Sequence, residues 1–316
     1  MGSKFFMGVA ALAAAGSVFG ADRLSVSHPG SAGATTEKGS LLIFSNSYGT
    51  IHISNDYPAD VQLQAYVVDE YSCDYYDMGF SLTANQITAF DFGDLAGPFY
   101  EGAGAGGGCI SMYVWAVNSS NEQIRWNHLS GGVIGDGVYA SAAVMQGNNG
   151  DTVGVAGTIN MDGVEYSSAF NGAVYNFEAG ADILSIELLD KDFSDKNADS
   201  ASTKVVAEIW NSDEVKFSGT SRCVSCSSLT GLEDWSDSAV NFFRGGNLGT
   251  DFGKARLSTE ANGSCGDDSA EHAFLAGALN GSVAGTGSRS ATITYGLESE
   301  PEEAGKVRKA FGLLRK

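Results

Sequence analysis

From Gly39 onward the chain is written in short runs of β-branched and aromatic residues, each soon cut off by Gly, Asn, Ser or Pro. LLIFSNS (41–47), TIHISND (50–56) and VQLQAYVVD (61–69) come first. In the third, Val61, Leu63, Ala65 and Val67 alternate with Gln62, Gln64, Tyr66 and Val68, the two-residue period of a strand. Pro58 marks a turn or a sheet edge. GFSLTANQITAFDF (79–92) predicts two short strands around Ala84 and Asn85. CISMYVWAVN (109–118) is apolar almost throughout and should be the most buried strand of its half. EQIRWNHL (122–129) is expected to pair with it through NSSN (118–121), and VYASAAVMQ (138–146) closes the set. A second group follows in ILSIELLD (183–190), KVVAEIWNSD (204–213), EVKFSGTSRCVSC (214–226), GKARLSTEA (253–261) and RSATITYGL (289–297). DSAEHAFLAGALNG (268–281) fits a helical turn or a strand. No alternation of strands with long amphipathic helices appears, which argues against a doubly wound sheet. The expected fold is therefore all-β: tandem antiparallel β-sandwich, Ig-like domains with a short C-terminal helix.

The expected divisions follow the composition. Lys4 followed by FFMGVAALAAAGSVF (5–19) and small residues before Ala21 read as a signal peptide over 1–20. A Ser-, Gly- and Thr-rich lead-in covers 21–38, a first sandwich 39–146, a Gly/Asn-rich connection 147–180 and a second β-rich domain 181–298. The tail 299–316 begins with Glu300, Glu302 and Glu303, then sets Val307, Phe311 and Leu314 on one helical face among Lys and Arg residues. It reads as a short helix or a basic amphipathic docking element. No later segment reaches ~18 consecutive apolar residues, so no transmembrane segment is expected in the mature chain. Net charge is −20, which disfavours nucleic acid. Forty-two glycines and only 18% charged residues give a surface made polar by Ser, Thr and Asn.

Five cysteines carry the densest chemistry: Cys73, Cys109, Cys223, Cys226 and Cys265. Haem attachment requires His directly after a Cys-x-x-Cys pair, and Ser227 stands there. Cys223, Cys226, Cys265 and His272 make a Cys₃His zinc set on paper, with loose spacing. A thioredoxin-like pair needs a helix after the second cysteine, whereas SSLTGLED (227–234) reads as a turn. The disulfide reading joins Cys223 or Cys226 to Cys265, and Cys73 to Cys109, leaving one cysteine over.

Other candidates are weaker. GAGAGGGC (102–109) opens a strand rather than a helix, so its Gly-x-Gly-x-x-Gly is compositional. Asp190, Asp192, Asp195 and Asp199 crowd one loop that suits Ca²⁺ only outside the EF-hand pattern. RWNH (125–128) can form a polar pocket with an aromatic floor. No nucleophile elbow or zinc-protease spacing occurs, and no catalytic residue, cofactor or metal ligand is assigned.

The phrases EKGSLLIF (37–44), ISND (53–56), FSLTANQ (80–86), YVWAVNSSNEQIRWNHLSG (113–131), FSGTSRCVSC (217–226) and NLGTDFGKAR (247–256) together resemble a family of uncharacterised secreted bacterial proteins. The resemblance implies export and β-architecture and adds nothing about substrate. The expectation is an exported, non-enzymatic structural or interaction protein of the bacterial cell surface or extracellular matrix, with self-association as its route to partners. The alternative is a secreted carbohydrate- or calcium-binding module, with Trp126 or the Tyr75–Tyr76 pair in its groove.

Overall fold

The computed structural model describes residues 25–28, 32–35, 38–47, 49–69, 72–100, 110–134, 141–145, 157–159, 172–180, 182–194, 201–266, 269–278, 282–285 and 292–293. The described chain is mostly β-strand in antiparallel sheets, with few and short helices.

One five-stranded sheet runs β1 (Ser25–His28), β2 (Ala32–Thr35), β9 (Leu129–Ile134), β4 (Thr50–Asn55) and β7 (Ile87–Asp91). A second, the central sheet, runs β10 (Ser141–Met145), β3 (Leu41–Ser47), β8 (Ile110–Val117), β5 (Val61–Asp69) and β6 (Tyr75–Leu82). The third has nine strands: β19 (Phe274–Ala278), β13 (Ile183–Leu188), β17 (Ser227–Gly231), β16 (Lys216–Ser225), β15 (Ser202–Asn211), β18 (Phe252–Glu260), β12 (Gly172–Glu178), β20 (Ser282–Gly285) and β21 (Thr292–Ile293). A two-stranded ribbon pairs β11 (Thr158–Ile159) with β14 (Lys191–Asp192).

The central sheet explains why CISMYVWAVN is apolar almost throughout. Every residue of β8 is buried, and its alternate residues enter two different cores. Ile110, Met112, Val114 and Ala116 pack with Ile51, Ile53, Leu129 and Val133 of the first sheet. Tyr113, Trp115 and Val117 pack with Tyr175, Leu184, Ile186 and Phe274 of the nine-stranded sheet. Its neighbour β3 divides the same way, Leu42 and Phe44 on one side, Leu41 and Ile43 on the other. A two-residue period sends successive side chains to opposite faces, so a strand with both faces covered reads as a near-continuous apolar run, interrupted in β8 by the buried Ser111. The two halves of the chain therefore meet in one contiguous core.

The first sheet lies close on the central one. An added Cβ at Gly131 of β9 would sit 2.6 Å from the His52 carbonyl oxygen and 2.6 Å from the Phe44 ring. The backbone cannot yield there without parting β4 from β9. Gly131→Ala is expected to cost about 1–3 kcal/mol through overpacking, measured by urea denaturation; an unchanged midpoint would contradict the close contact.

Some local expectations change. Asn118–Asn121 does form the turn, with Asn121 at φ 62° and its N–H donating to the Asn118 carbonyl at 2.9 Å. The expected hairpin beyond it shrinks to a single bridge, Val117 to Gln123. The chain then crosses to the other sheet, because Leu129 and Val133 belong to the core between the two sheets. Gly172–Glu178, assigned above to the connection, is a full strand registered on Phe252–Ser258. The lead-in contributes the hairpin β1–β2. Residues 274–278 resolve the helix-or-strand ambiguity as strand. A helix that periodicity did not announce, α1 (Phe92–Tyr100), follows β7 despite its internal Pro98. It buries Leu95 and Ala96 in the first core and accepts a 2.6 Å hydrogen bond from the Tyr76 hydroxyl at the Leu95 carbonyl. Residues 1–20 and 299–316 lie outside the described residues.

Candidate functional site

The strongest concentration of chemistry lies where the nine-stranded sheet meets the central one. ILSIELLD carries an acid inside an apolar run, and β13 is buried on both faces, so Glu187 is 0% exposed. A carboxylate taken out of water needs charged or hydrogen-bonding partners. Glu187 Oε1 accepts from the Tyr113 hydroxyl of β8 and lies 3.1 Å from Lys191 Nζ. Lys191 is itself 9% exposed and reaches the Cys226 Sγ at 3.3 Å and the Cys226 carbonyl at 3.4 Å. Its ammonium also lies 5.7 Å from the Tyr113 ring centroid. Burial by itself would lower the Lys191 pKa, but the Glu187 charge and its hydrogen bond outweigh it and hold the amine above its ordinary range, so it is protonated.

Phe193 seats this corner on the central sheet. Its ring stacks on Tyr66 at 4.4 Å between centroids and meets Tyr75 edge-on at 5.0 Å and Tyr113 at 5.5 Å. Its carbonyl accepts a 3.0 Å bond from the Tyr75 hydroxyl. The two turns nearby each carry a cysteine. Cys73 lies in the β5–β6 turn and Cys226 between β16 and β17, and both line one cavity. The neighbouring Cys73 thiol, then burial, pushes the Cys226 pKa far up, and the opposing pull of Lys191 does not offset them. The sulfur is therefore a protonated thiol, a poor nucleophile.

A cavity of about 290 Å³ opens here, lined by Cys73, Tyr75, Lys191, Phe193, Cys226 and His272 among others. His272 Nδ1 lies 2.9 Å from Asp190 Oδ2, an arrangement in which the ring N–H donates to the carboxylate. In chemical terms the corner holds two thiols, a buried ion pair and a carboxylate-oriented imidazole.

The other expected groups fall as follows. Cys223 and Cys265 form a disulfide, with Cα atoms 5.2 Å apart at a sequence separation of 42, linking β16 to the 3₁₀ turn Gly263–Cys265. Closing a loop of that length stabilises by about 4 kcal/mol in the chain-entropy account. The bond also removes two ligands from the Cys₃His zinc set, which corrects that alternative. Cys109, the expected partner of Cys73, lies outside the described residues, and Cys73 lines the same cavity as Cys226. Of the acidic loop, Asp190 is engaged by His272 and Asp192 accepts from Ser194 N at 2.8 Å, while Asp195 and Asp199 lie outside the described residues. Among the described residues no group of three His, Cys, Asp or Glu is placed to hold a metal ion.

Tyr75 and Tyr76 do not share a groove. Adjacent on one strand, they point to opposite faces, Tyr75 to Phe193 and Tyr76 to α1. RWNH instead builds an aromatic cluster with Tyr57, which stacks on His128 at 4.2 Å and meets Trp126 edge-on at 5.0 Å. The Trp126 indole N–H is bound by Asn55 Oδ1 at 3.1 Å, and Asn127 Oδ1 accepts from Ser40 at 2.7 Å. Sequence reasoning missed Tyr113, Glu187, Lys191 and Phe193. The available signal was Glu187, one acid inside an apolar strand. Among the described residues no helix is long and apolar enough to cross a membrane. No protein-family model, curated protein or solved structure matches the chain.

Proposed function

We propose that the chain is an exported, non-enzymatic structural or interaction protein of the bacterial surface or extracellular matrix, built from Ig-like sandwich halves and able to associate with copies of itself. What carries this reading is the condition of its most reactive corner. Cys226 is 3% exposed and protonated, Lys191 is charged and bound to Glu187, and Tyr113 donates to that same carboxylate. A catalytic thiol or amine needs the opposite condition, deprotonated and reachable. Here the reactive groups link two sheets. Size-exclusion chromatography of the chain from Ala21 onward, with and without reductant, tests the association. Species larger than a monomer are expected; monomers at every salt concentration and in both redox conditions would overturn it.

A second reading, carbohydrate binding, is favoured by the Tyr57–Trp126–His128 cluster. Tyr57 is 39% exposed, and an exposed ring backed by two others offers a flat apolar face for a sugar ring. On this reading a glycan panel raises the melting temperature of the native chain and not of Tyr57→Ala. The absence of any shift across the panel counts against it.

A further inference from the structure

We propose that Cys73 and Cys226 are the two halves of a second disulfide, one that ties the central sheet to the nine-stranded sheet. Both residues line the same cavity. Cys73 Sγ also lies 4.0 Å from the carbonyl oxygen of Ser225, the residue before Cys226 and 152 positions along the chain from Cys73. Two unrelated turns thus deliver their thiols to one spot.

The backbone at both turns is unusual in the same way. Cys73 has φ 64° and Cys226 φ 62°, in the left-handed region that residues with a Cβ rarely adopt. Such conformations persist where surrounding bonds hold them. Cys73 N–H donates to Asp69 O at 2.8 Å, and the Asp69 carboxylate accepts from Ser72 N at 3.1 Å and Ser72 Oγ at 2.7 Å. Cys226 N–H donates to Ala201 O at 2.9 Å, and its carbonyl accepts from Leu188 N at 2.9 Å. Each thiol is therefore aimed by its own turn before any covalent bond exists.

The cavity supplies access from one side. Cys73 is partly exposed there, whereas Cys226 is buried. With a small disulfide RSSR as oxidant, Cys73 attacks first as its thiolate, forms a mixed disulfide and releases one RS⁻. Cys226 then attacks the Cys73 sulfur, the Cys73–SR bond breaks, and a second RS⁻ leaves. The two thiol protons end on the two released RSH molecules, so two cysteine thiols are oxidised and one disulfide is reduced. Once Cys73 is derivatised, Lys191 Nζ, 3.3 Å from the Cys226 Sγ, favours the Cys226 thiolate. The cation nearest the weaker nucleophile is thus placed to stabilise its thiolate at the step where that is needed.

This pairing changes which cysteine is odd. With Cys223–Cys265 formed, a Cys73–Cys226 bond leaves Cys109 as the single thiol of the five. The test is to treat the native full chain with glutathione disulfide, denature it without reductant, alkylate, digest and map by mass spectrometry. A Cys73–Cys226 cross-linked peptide is expected, with alkylation confined to Cys109. Cys73 joined to Cys109, or Cys73 and Cys226 both alkylated, overturns the proposal. As a second arm, Cys73→Ser keeps the buried Cys226 and alters only the partly exposed partner. Its melting temperature is expected to respond to reductant less than that of the native chain; an equal response would exclude the bond.

Discussion

Glu187→Ala is expected to destabilise the folded chain by about 3–5 kcal/mol, the cost of stranding one member of a buried ion pair. Glu187 is fully buried and Lys191 nearly so, at 3.1 Å. Removing the carboxylate leaves the ammonium facing Cys226 and an aromatic ring, and leaves the Tyr113 hydroxyl only the more distant Leu188 carbonyl at 3.4 Å. The asymmetry is the informative part. Replacing the whole set with apolar groups of similar shape, Glu187→Leu with Lys191→Met and Tyr113→Phe, is expected to recover most of the loss. The pH dependence follows from the raised Lys191 pKa. Its contribution is complete below the unfolded value of 10.5 and is lost as pH rises past it toward the folded value. The deficit of Glu187→Ala should therefore be constant through the neutral range and shrink only at strongly alkaline pH. Urea denaturation across pH reads both quantities. A deficit below about 1 kcal/mol would mean the pair is solvated like a surface bridge.

Phe193→Ala is expected to cost a similar amount, about 3–5 kcal/mol, for a different reason. The ring sits among Tyr66, Tyr75, Tyr113 and Trp115, all on the central sheet, so its removal opens a void at the junction. Tyr75 bonds the backbone carbonyl of Phe193 and keeps that bond in the variant. The loss therefore reports packing alone. Near-ultraviolet circular dichroism should weaken along with the denaturation midpoint. A change no larger than that of Tyr57→Ala on the exposed cluster would show that the junction does not depend on this ring.

The strands were legible where both signals of a strand coincide, period or apolar run, and a turn residue at each end. CISMYVWAVN illustrates how far that goes. Its near-continuous apolarity marks it as deeply buried, but the same string does not say what covers each face. That depends on which residues arrive from more than sixty positions away, since β8 ends at Val117 and β13 begins at Ile183. Gly172–Glu178 was hidden by its flanking glycines, although GAVYNFE carries Tyr175 and Phe177 at strand spacing. Helix α1 was obscured by Pro98 and by two glycines within nine residues, all unfavourable to helix, and burial of Leu95 and Ala96 overrides them. Cys265 with Cys223 was one of two pairings the sequence left open. The choice between Cys223 and Cys226 turns on side-chain direction at a strand end, where Cys223 faces Cys265 and Cys226, in its left-handed turn, faces inward. Lys191 was unreadable for a simpler reason: between Asp190 and Asp192 it looks solvated.

The central claim is that the thiol, lysine and glutamate corner binds the two halves of the chain into one unit. The four tryptophans divide evenly, Trp115 and Trp126 in the first half and Trp210 and Trp235 in the second. Equilibrium urea unfolding in the presence of reductant, followed by fluorescence of Trp126 alone and then of Trp210 alone with the remaining tryptophans replaced by Phe, reads each half separately. Trp126 and Trp210 are partly buried, so each reports the loss of its own half, and the replacements at the buried Trp115 and Trp235 are common to both variants. Coincident unfolding, after correction for each variant's stability at a common probe, is the predicted result. A first half that remains folded while the second has melted, or the reverse, would contradict it.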